Sequence, residues 1–243
     1  MSQPDPPSQS APLTYAQSGV DVGAADRAVD LMRAAVTATH GPSVLGGLGG
    51  FAGMVDARAL AGMRHPVLVT STDGVGTKVA IAQAMDRHHT IGQDLVGMVV
   101  DDIVVTGARP LFMTDYIACG RLDPDRIASI VTGIARACEA TGTALVGGET
   151  AEHPGLLAPQ EYDVAGAVTG VVEYEDVLGA HRVQDGDALV AMGSSGLHSN
   201  GFSLVRRIVE RAGWSLTDDV AEFGRPLGAE LLEPTRLYTG VCL

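Results

Sequence analysis

Val67-Leu68-Val69-Thr70-Ser71-Thr72-Asp73-Gly74-Val75-Gly76-Thr77-Lys78 is the stretch on which the fold turns. Its β-branched run after Pro66 predicts a short buried strand, which runs straight into a glycine-rich turn. The same pattern recurs twice. Thr143 to Val146 leads into Gly147-Gly148-Glu149-Thr150, and Ala188 to Met192 into Gly193-Ser194-Ser195-Gly196-Leu197-His198-Ser199-Asn200-Gly201. In α/β proteins ligands gather where strands end, because the strands hold those loops at fixed positions. Two more strands are predicted, Leu111 to Ile117 and Tyr162 to Val172.

Helical periodicity fills the intervals. Val29, Met32 and Val36 share a face between Ala24 and Thr39, ending at Gly41-Pro42. Residues 92–107 carry Leu95, Val96, Val99, Ile103 and Val104 at helical spacing. The clearest helix has Asp123 as N-cap, Pro124 at its first position and Gly142 closing it. A last one places Phe202, Val205, Val209 and Ala212 on one face. The fold class expected is therefore α/β. Residues 1–12 are Pro/Ser/Gln-rich and read as a disordered tail, 13–172 as a first domain, and 173–243 as the start of a second, beyond a polar junction at 173–186.

The net charge of −13 opposes nucleic-acid binding, which needs a basic surface. An acidic protein can still hold a phosphorylated ligand when its carboxylates recruit Mg²⁺. Cys119, Cys138 and Cys242 are widely spaced, which fits a reducing compartment rather than a disulfide framework or zinc site. The N-terminus lacks the pattern of a signal peptide, and no stretch approaches the ~18 apolar residues of a membrane span. A cytoplasmic location is expected.

In Thr72 to Lys78, Gly74 and Gly76 let the backbone approach a ligand, Lys78 offers a point charge for phosphate, and Asp73 offers oxygen to Mg²⁺. The competing reading is a tight strand-to-helix turn with a solvated lysine. Gly47-Leu48-Gly49-Gly50-Phe51-Ala52 satisfies a GxGxxA pattern, but no strand precedes it, which argues against a dinucleotide fingerprint. It is either a flap over a ligand or a plain loop. Asp94 and Asp101 lie on one helical face. Asp101 reads as a solvated edge, and Asp102, beside Ile103-Val104-Val105, as the better ligand. Glu149 and Thr150 offer a carboxylate and a hydroxyl, against a surface turn as the alternative. Among seven histidines only His198 sits in a Ser/Gly/Asn-rich loop before a helix, where it could carry a proton or simply cap.

These segments, with Tyr15…Ser18-Gly19-Val20-Asp21, Thr90-Ile91-Gly92…Asp94-Leu95-Val96, Ala151-Glu152 and Pro234-Thr235-Arg236, resemble phosphoribosylformylglycinamidine cyclo-ligase, or aminoimidazole ribonucleotide synthetase. The resemblance implies ATP- and Mg²⁺-dependent closure of an imidazole ring. ATP phosphorylates the amide oxygen of formylglycinamidine ribonucleotide, an amidine nitrogen attacks, and phosphate leaves.

It further implies an N-terminal ATP-binding domain whose mixed sheet dimerises. ATP and phosphate would meet Gly47, Gly49, Gly50, Asp73, Gly74, Gly76, Thr77, Lys78, Asp94, Gly147, Gly148, Glu149 and Thr150. Metal would go to Asp73, Asp102 and Glu149. Substrate would meet Ser194, Ser195, Gly196, Ser199, Asn200 and Gly201, with His198 and Lys78 catalytic.

Three positions depart from the family pattern: Asp101 where Asn is usual, His89 where an acidic residue is common, and Arg33 where relatives carry Lys. Family members also continue past Leu243, so the second domain is expected to be incomplete, with exposed apolar surface and poor solubility. The alternatives are an amidotransferase or small-molecule kinase of the same architecture, and a non-catalytic nucleotide-binding or dimerising relative. The glycine cluster together with the Asp73 and His198 segments argues against the first pair.

Overall fold

The computed structural model describes residues 18–243; the predicted tail 1–12 and Tyr15 lie outside the described residues. In chain order the elements are α1 (Val22–Ala38), β1 (Val44–Leu45), β2 (Met54–Val55), β3 (Pro66–Gly74), α2 (Val79–Met85), α3 (Ile91–Val104) and β4 (Arg109–Cys119). Then come α4 (Pro124–Thr141), β5 (Ala144–Glu152), β6 (Tyr162–Glu173), α5 (Phe202–Ala212), β7 (Asp219–Val220), β8 (Arg225–Pro226), α6 (Leu227–Leu231) and α7 (Thr239–Cys242).

The caps explain where the main helices begin and end. Asp21 accepts from the Ala24 N–H at the start of α1, and Asp123 accepts from Asp125 and Arg126 at the start of α4. Gly142 ends α4 at φ +67°, a left-handed conformation that costs glycine little.

The central sheet is mixed, in the order β3-β6-β4-β5. β6 runs antiparallel to both β3 and β4, whereas β5 is parallel to β4. One face is covered by α3 and α4. There Met113, Ile117, Val164 and Val168 pack with Leu95, Val99, Ile103, Ile130 and Ile134, all fully buried. Among the described residues nothing covers the other face, where Leu68 is 63% and Tyr116 41% exposed. Glu152, at the end of β5, ties two chain segments to the sheet by accepting from the backbone N–H of Asp21 (2.6 Å) and of Leu122 (2.7 Å).

Two expectations are corrected. Gly147 to Thr150 do not follow the third strand but lie within it, because β5 pairs with β4 as far as Glu152. Residues 188–192 form no strand: Leu189 and Val190 are exposed, and no described segment pairs with them. A lone strand has no partner for its N–H and C=O groups and does not persist by itself. After this segment, α5 docks through Phe202, which is buried, and through Val205 and Val209, while Leu204 and Ile208 face outward. Among the described residues no helix is long and apolar enough to cross a membrane.

Candidate functional site

Site residues fall into three groups. The first surrounds a cavity of about 250 Å³ at the β5 edge, roofed by α1. Gly47, Gly49 and Gly50 line one side and Gly147, Gly148, Glu149 and Thr150 another, so seven of the expected nucleotide residues meet here. Gly53, farther along the glycine loop, passes so close to β5 that a Cβ there would lie 2.5 Å from the Val146 carbonyl oxygen.

The cavity also holds a residue that sequence reasoning missed, Asp115. It lies on β4 between Met113 and Ile117 and shares their helix-covered face. Burial pushes its carboxyl up to about 7, opposed only by its own backbone N–H. Gly148 stands opposite it in the β4–β5 register, and a Cβ at 148 would collide with the Asp115 carboxyl. The available signal was an acidic residue at an inward position of an apolar strand.

The second group is a buried knot around Lys78, whose side chain is fully buried. Its ammonium donates to Asp94 Oδ1 (2.9 Å) and to the backbone oxygens of His198 and Glu233 (2.7 Å each). Those three bonds use all its donors. It also lies 5.4 Å from the Phe202 ring centroid. Asp94 Oδ1 takes two further bonds, from the Thr235 backbone N–H and hydroxyl, while Asp94 Oδ2 is buried without a partner. Burial pulls the Lys78 ammonium down and pushes the Asp94 carboxyl up, and each charge opposes the other's shift. Lys78 and Asp94 were expected at the nucleotide; in this structure they are turned on each other.

The 194–201 loop is fastened around the same knot. Ser195 Oγ donates to the Pro234 carbonyl (2.6 Å), and Ser199 Oγ to the Val75 carbonyl (2.9 Å). His198 adopts φ +53°, and its Nε2 accepts from the Ser195 N–H (3.2 Å). Burial, then the Lys78 charge, holds its pKa below the ordinary range, so the ring is neutral at neutral pH. Ser194 and Asn200 are exposed, Gly196 packs near Glu233, and Gly201 caps α5 at φ +84°. The Ser195 and Ser199 hydroxyls, expected at substrate, are thus engaged in holding their own loop.

The third group lies at the opposite edge of the sheet. Asp73 Oδ1 accepts from the Gly74 N–H, Gly76 turns the chain at φ +70°, and the Thr77 hydroxyl meets Ser203 on α5 (3.0 Å). Asp102 is exposed and accepts from Ser71 Oγ (2.6 Å). Asp101, expected as a solvated edge, is instead half-buried against Tyr238 and Thr239, and burial raises its pKa. The metal expectation needs Asp73, Asp102 and Glu149 together. Asp73 is on β3 and Glu149 on β5, the two outer strands, about 14 Å apart at the usual strand spacing. Among the described residues no group of three or more His, Cys, Asp or Glu can hold a metal ion. Asp73 and Glu149 therefore do not share one ion within this chain.

Residues 55–172 match the family model of the AIR synthase related protein N-terminal domain, and residues 184–243 that of its C-terminal domain. Curated relatives named phosphoribosylformylglycinamidine cyclo-ligase include those of Geobacillus kaustophilus (55% identical, covering 92% of this chain and 65% of the relative) and Synechocystis (52%, 93% and 66%). That of Desulfitobacterium hafniense is 50% identical over 95% of this chain and 67% of its own length. The chain thus spans about two thirds of the length of these relatives. Among solved structures, thiamine-monophosphate kinase from Stenotrophomonas maltophilia is 22% identical with TM-score 0.60, covering 88% of this chain and 63% of that one. The hydrogenase maturation protein HypE in complex with ATP is 19% identical with TM-score 0.52, covering 86% and 56%. Both share the fold.

Proposed function

The chain belongs to the phosphoribosylformylglycinamidine cyclo-ligase family, and we propose that it takes part in the ring closure for which those relatives are named. The reaction converts formylglycinamidine ribonucleotide and ATP into aminoimidazole ribonucleotide, ADP and phosphate. The γ-phosphoryl group moves to the amide oxygen, turning a poor leaving group into phosphate. The amidine nitrogen then attacks the activated carbon, and the C–O bond to phosphate breaks. The supporting observation is 50–55% identity to cyclo-ligases over more than nine tenths of the chain.

In this reading residues 13–172 form the ATP-binding unit and 173–243 a second unit. The glycines at 47, 49 and 50 and Gly147 to Thr150 hold the nucleotide. Gly74, Gly76 and Thr77 serve the phosphates through backbone N–H groups, and Asp73 offers its carboxylate to a cation carried on them. Neutral His198 can accept the proton released by the attacking amidine once its Nε2 lets go of the Ser195 N–H, with Ser194 and Asn200 open to the substrate. Lys78 and Asp94 act as positioning residues, fixing His198 through its backbone. Mg²⁺, if used, would arrive on the nucleotide phosphates, since it commonly takes only one or two carboxylates from protein.

The test is direct. The protein is incubated with ATP and formylglycinamidine ribonucleotide, and ADP and the aromatic amine product are measured together. Equal amounts of both, dependent on both substrates, are expected. ADP release that ignores formylglycinamidine ribonucleotide would point to a different phosphoryl acceptor and sink this reading.

The reading also includes a homodimer across the uncovered sheet face in the cytoplasm, in keeping with free thiols at Cys119, Cys138 and Cys242. Leu68 stands on that face, 63% exposed. Leu68→Glu is expected to shift sedimentation from dimer to monomer without loss of helical content. A variant that stays dimeric rules this face out.

A further inference from the structure

Segment 233–238 lies against the loop that carries His198. Ser195 Oγ donates to the Pro234 carbonyl (2.6 Å), and the Gly193 carbonyl accepts both from Arg236 Nη1 (2.8 Å) and from the Tyr238 hydroxyl (3.2 Å). Both lone pairs of that carbonyl are thereby used. The Tyr238 and His198 ring centroids are 6.0 Å apart. The segment is itself fastened to α3. Thr235 donates to Asp94 Oδ1 through its N–H and hydroxyl, and its carbonyl accepts from Gln93 Nε2 (2.7 Å). Thr235 and Thr239 are buried on either side of Arg236. Arg236, though exposed, is thus carried on a fixed stretch of backbone, which lowers the entropy cost of holding its guanidinium on Gly193.

The charge of Arg236 is also unusual for this region. Arg225 is paired with Glu230 and Glu233 (2.6 Å each), whereas among the described residues no carboxylate pairs with Arg236. A guanidinium stays charged at every pH the protein meets, so this charge is not cancelled locally. We propose that Arg236 is a positioning residue for His198, clamping the start of its loop through Gly193 and setting an unpaired positive charge beside that loop. The proposal rests on the reading of His198 as proton acceptor and adds what keeps it ready to accept.

The ring accepts from the Ser195 N–H through Nε2, so a proton on Nε2 breaks the bond that folds the loop onto itself. Several groups decide how readily that proton arrives. Burial disfavours it most, then the Lys78 charge; Asp94 favours it, and Arg236 disfavours it. Glu230 and Glu233 approach the loop at Gly196, but both are held by Arg225. Tyr238 meets the loop as a hydrogen-bond donor. Removing Arg236 leaves burial and Lys78 in place, so the change is modest in size and definite in sign.

The test is the titration of His198 followed by NMR in the full chain labelled at the histidine Cε1 positions, with its signal assigned by its absence from His198→Asn. Arg236→Gln is expected to raise the midpoint by about 0.3–0.5 pH unit, the size of one unit charge acting mostly through water. Arg236 is exposed and has one bond to lose, so this variant should melt cooperatively. Arg236→Lys keeps the charge and should stay near wild type. Tyr238→Phe loosens Gly193 while leaving every charge in place, and should also keep the wild-type midpoint. The Ser195 amide should exchange about threefold faster or more in Arg236→Gln. An unchanged midpoint in Arg236→Gln, an equal rise in Arg236→Lys or Tyr238→Phe, or unaltered Ser195 exchange overturns the proposal. Turnover gives a second readout: the acidic limb of kcat/KM should move to higher pH with the midpoint. A loss of equal size at every pH would mark Arg236 as merely structural and overturn it too. A wild type that turns over at no pH sinks the cyclisation reading, and the NMR comparison then decides on Arg236 alone.

Discussion

Lys78→Met is expected to destabilise the protein by about 3–5 kcal/mol, because it strands a buried carboxylate. Asp94 is fully buried beside it, and its second oxygen already lacks a partner. Methionine would fill most of the space but return none of the three bonds that Lys78 makes to Asp94, His198 and Glu233. Replacing both charges is different in kind. Lys78→Met with Asp94→Leu removes the desolvated pair together, and such exchanges are often close to neutral. Here recovery should be partial, because leucine leaves the Thr235 N–H and hydroxyl without their acceptor. Urea unfolding of the two single variants and the double variant measures this. A Lys78→Met variant within about 1 kcal/mol of wild type would show that Asp94 is protonated or hydrated at little cost. The knot joins α2 and α3 to the 194–201 loop and to the 233–235 segment, so its loss should also loosen His198.

Gly92→Ala is expected to cost as much as the severest overpacking, at or above the top of the usual ~1–3 kcal/mol. α3 crosses α4 at this point with no side chain between them. A Cβ at 92 would lie 2.5 Å from both the Gly133 carbonyl carbon and the Ile130 carbonyl oxygen, and nearer still to the Ile134 nitrogen. All of these are backbone atoms, so relief requires the helices to separate and to open the core at Leu95 and Ile130. Gly41 is the control, since a Cβ there meets nothing within 4 Å. Gly41→Ala should stay within about 0.5 kcal/mol of wild type. Thermal melts of both variants decide the matter, and equal melting temperatures would mean that the α3–α4 contact yields easily.

Much of the fold was legible because its signals are local. Asp123, Pro124 and Gly142 marked both ends of α4, and the observed helix runs from Pro124 to Thr141. Strands β3 and β6 fell where β-branched residues cluster, and β4 over the apolar and aromatic stretch Leu111 to Ile117. The strand expected at 188–192 failed for a non-local reason, because no described segment pairs with it. β5 ran past its predicted end for the opposite reason, since β4 supplies partners as far as Glu152.

The site divides the same way. The glycine clusters at 46–50 and 147–148 could be read directly from composition, and the fold brings them to one cavity, where Gly148 alone makes a close approach. Asp115 was missed because its meaning depends on a β4–β5 register that sets it opposite Gly148. The Thr72 to Lys78 stretch shows both limits. By itself the sequence determined a strand and a glycine turn at Gly76, both properties of neighbouring residues, and family membership from several such stretches in order. Only the tertiary structure decided that Lys78 pairs with Asp94 and with the His198 and Glu233 carbonyls, the last 155 positions away. A charge near water is free to meet a ligand, whereas one carried into the core must find its partner there, and packing between distant segments settles which of the two it is.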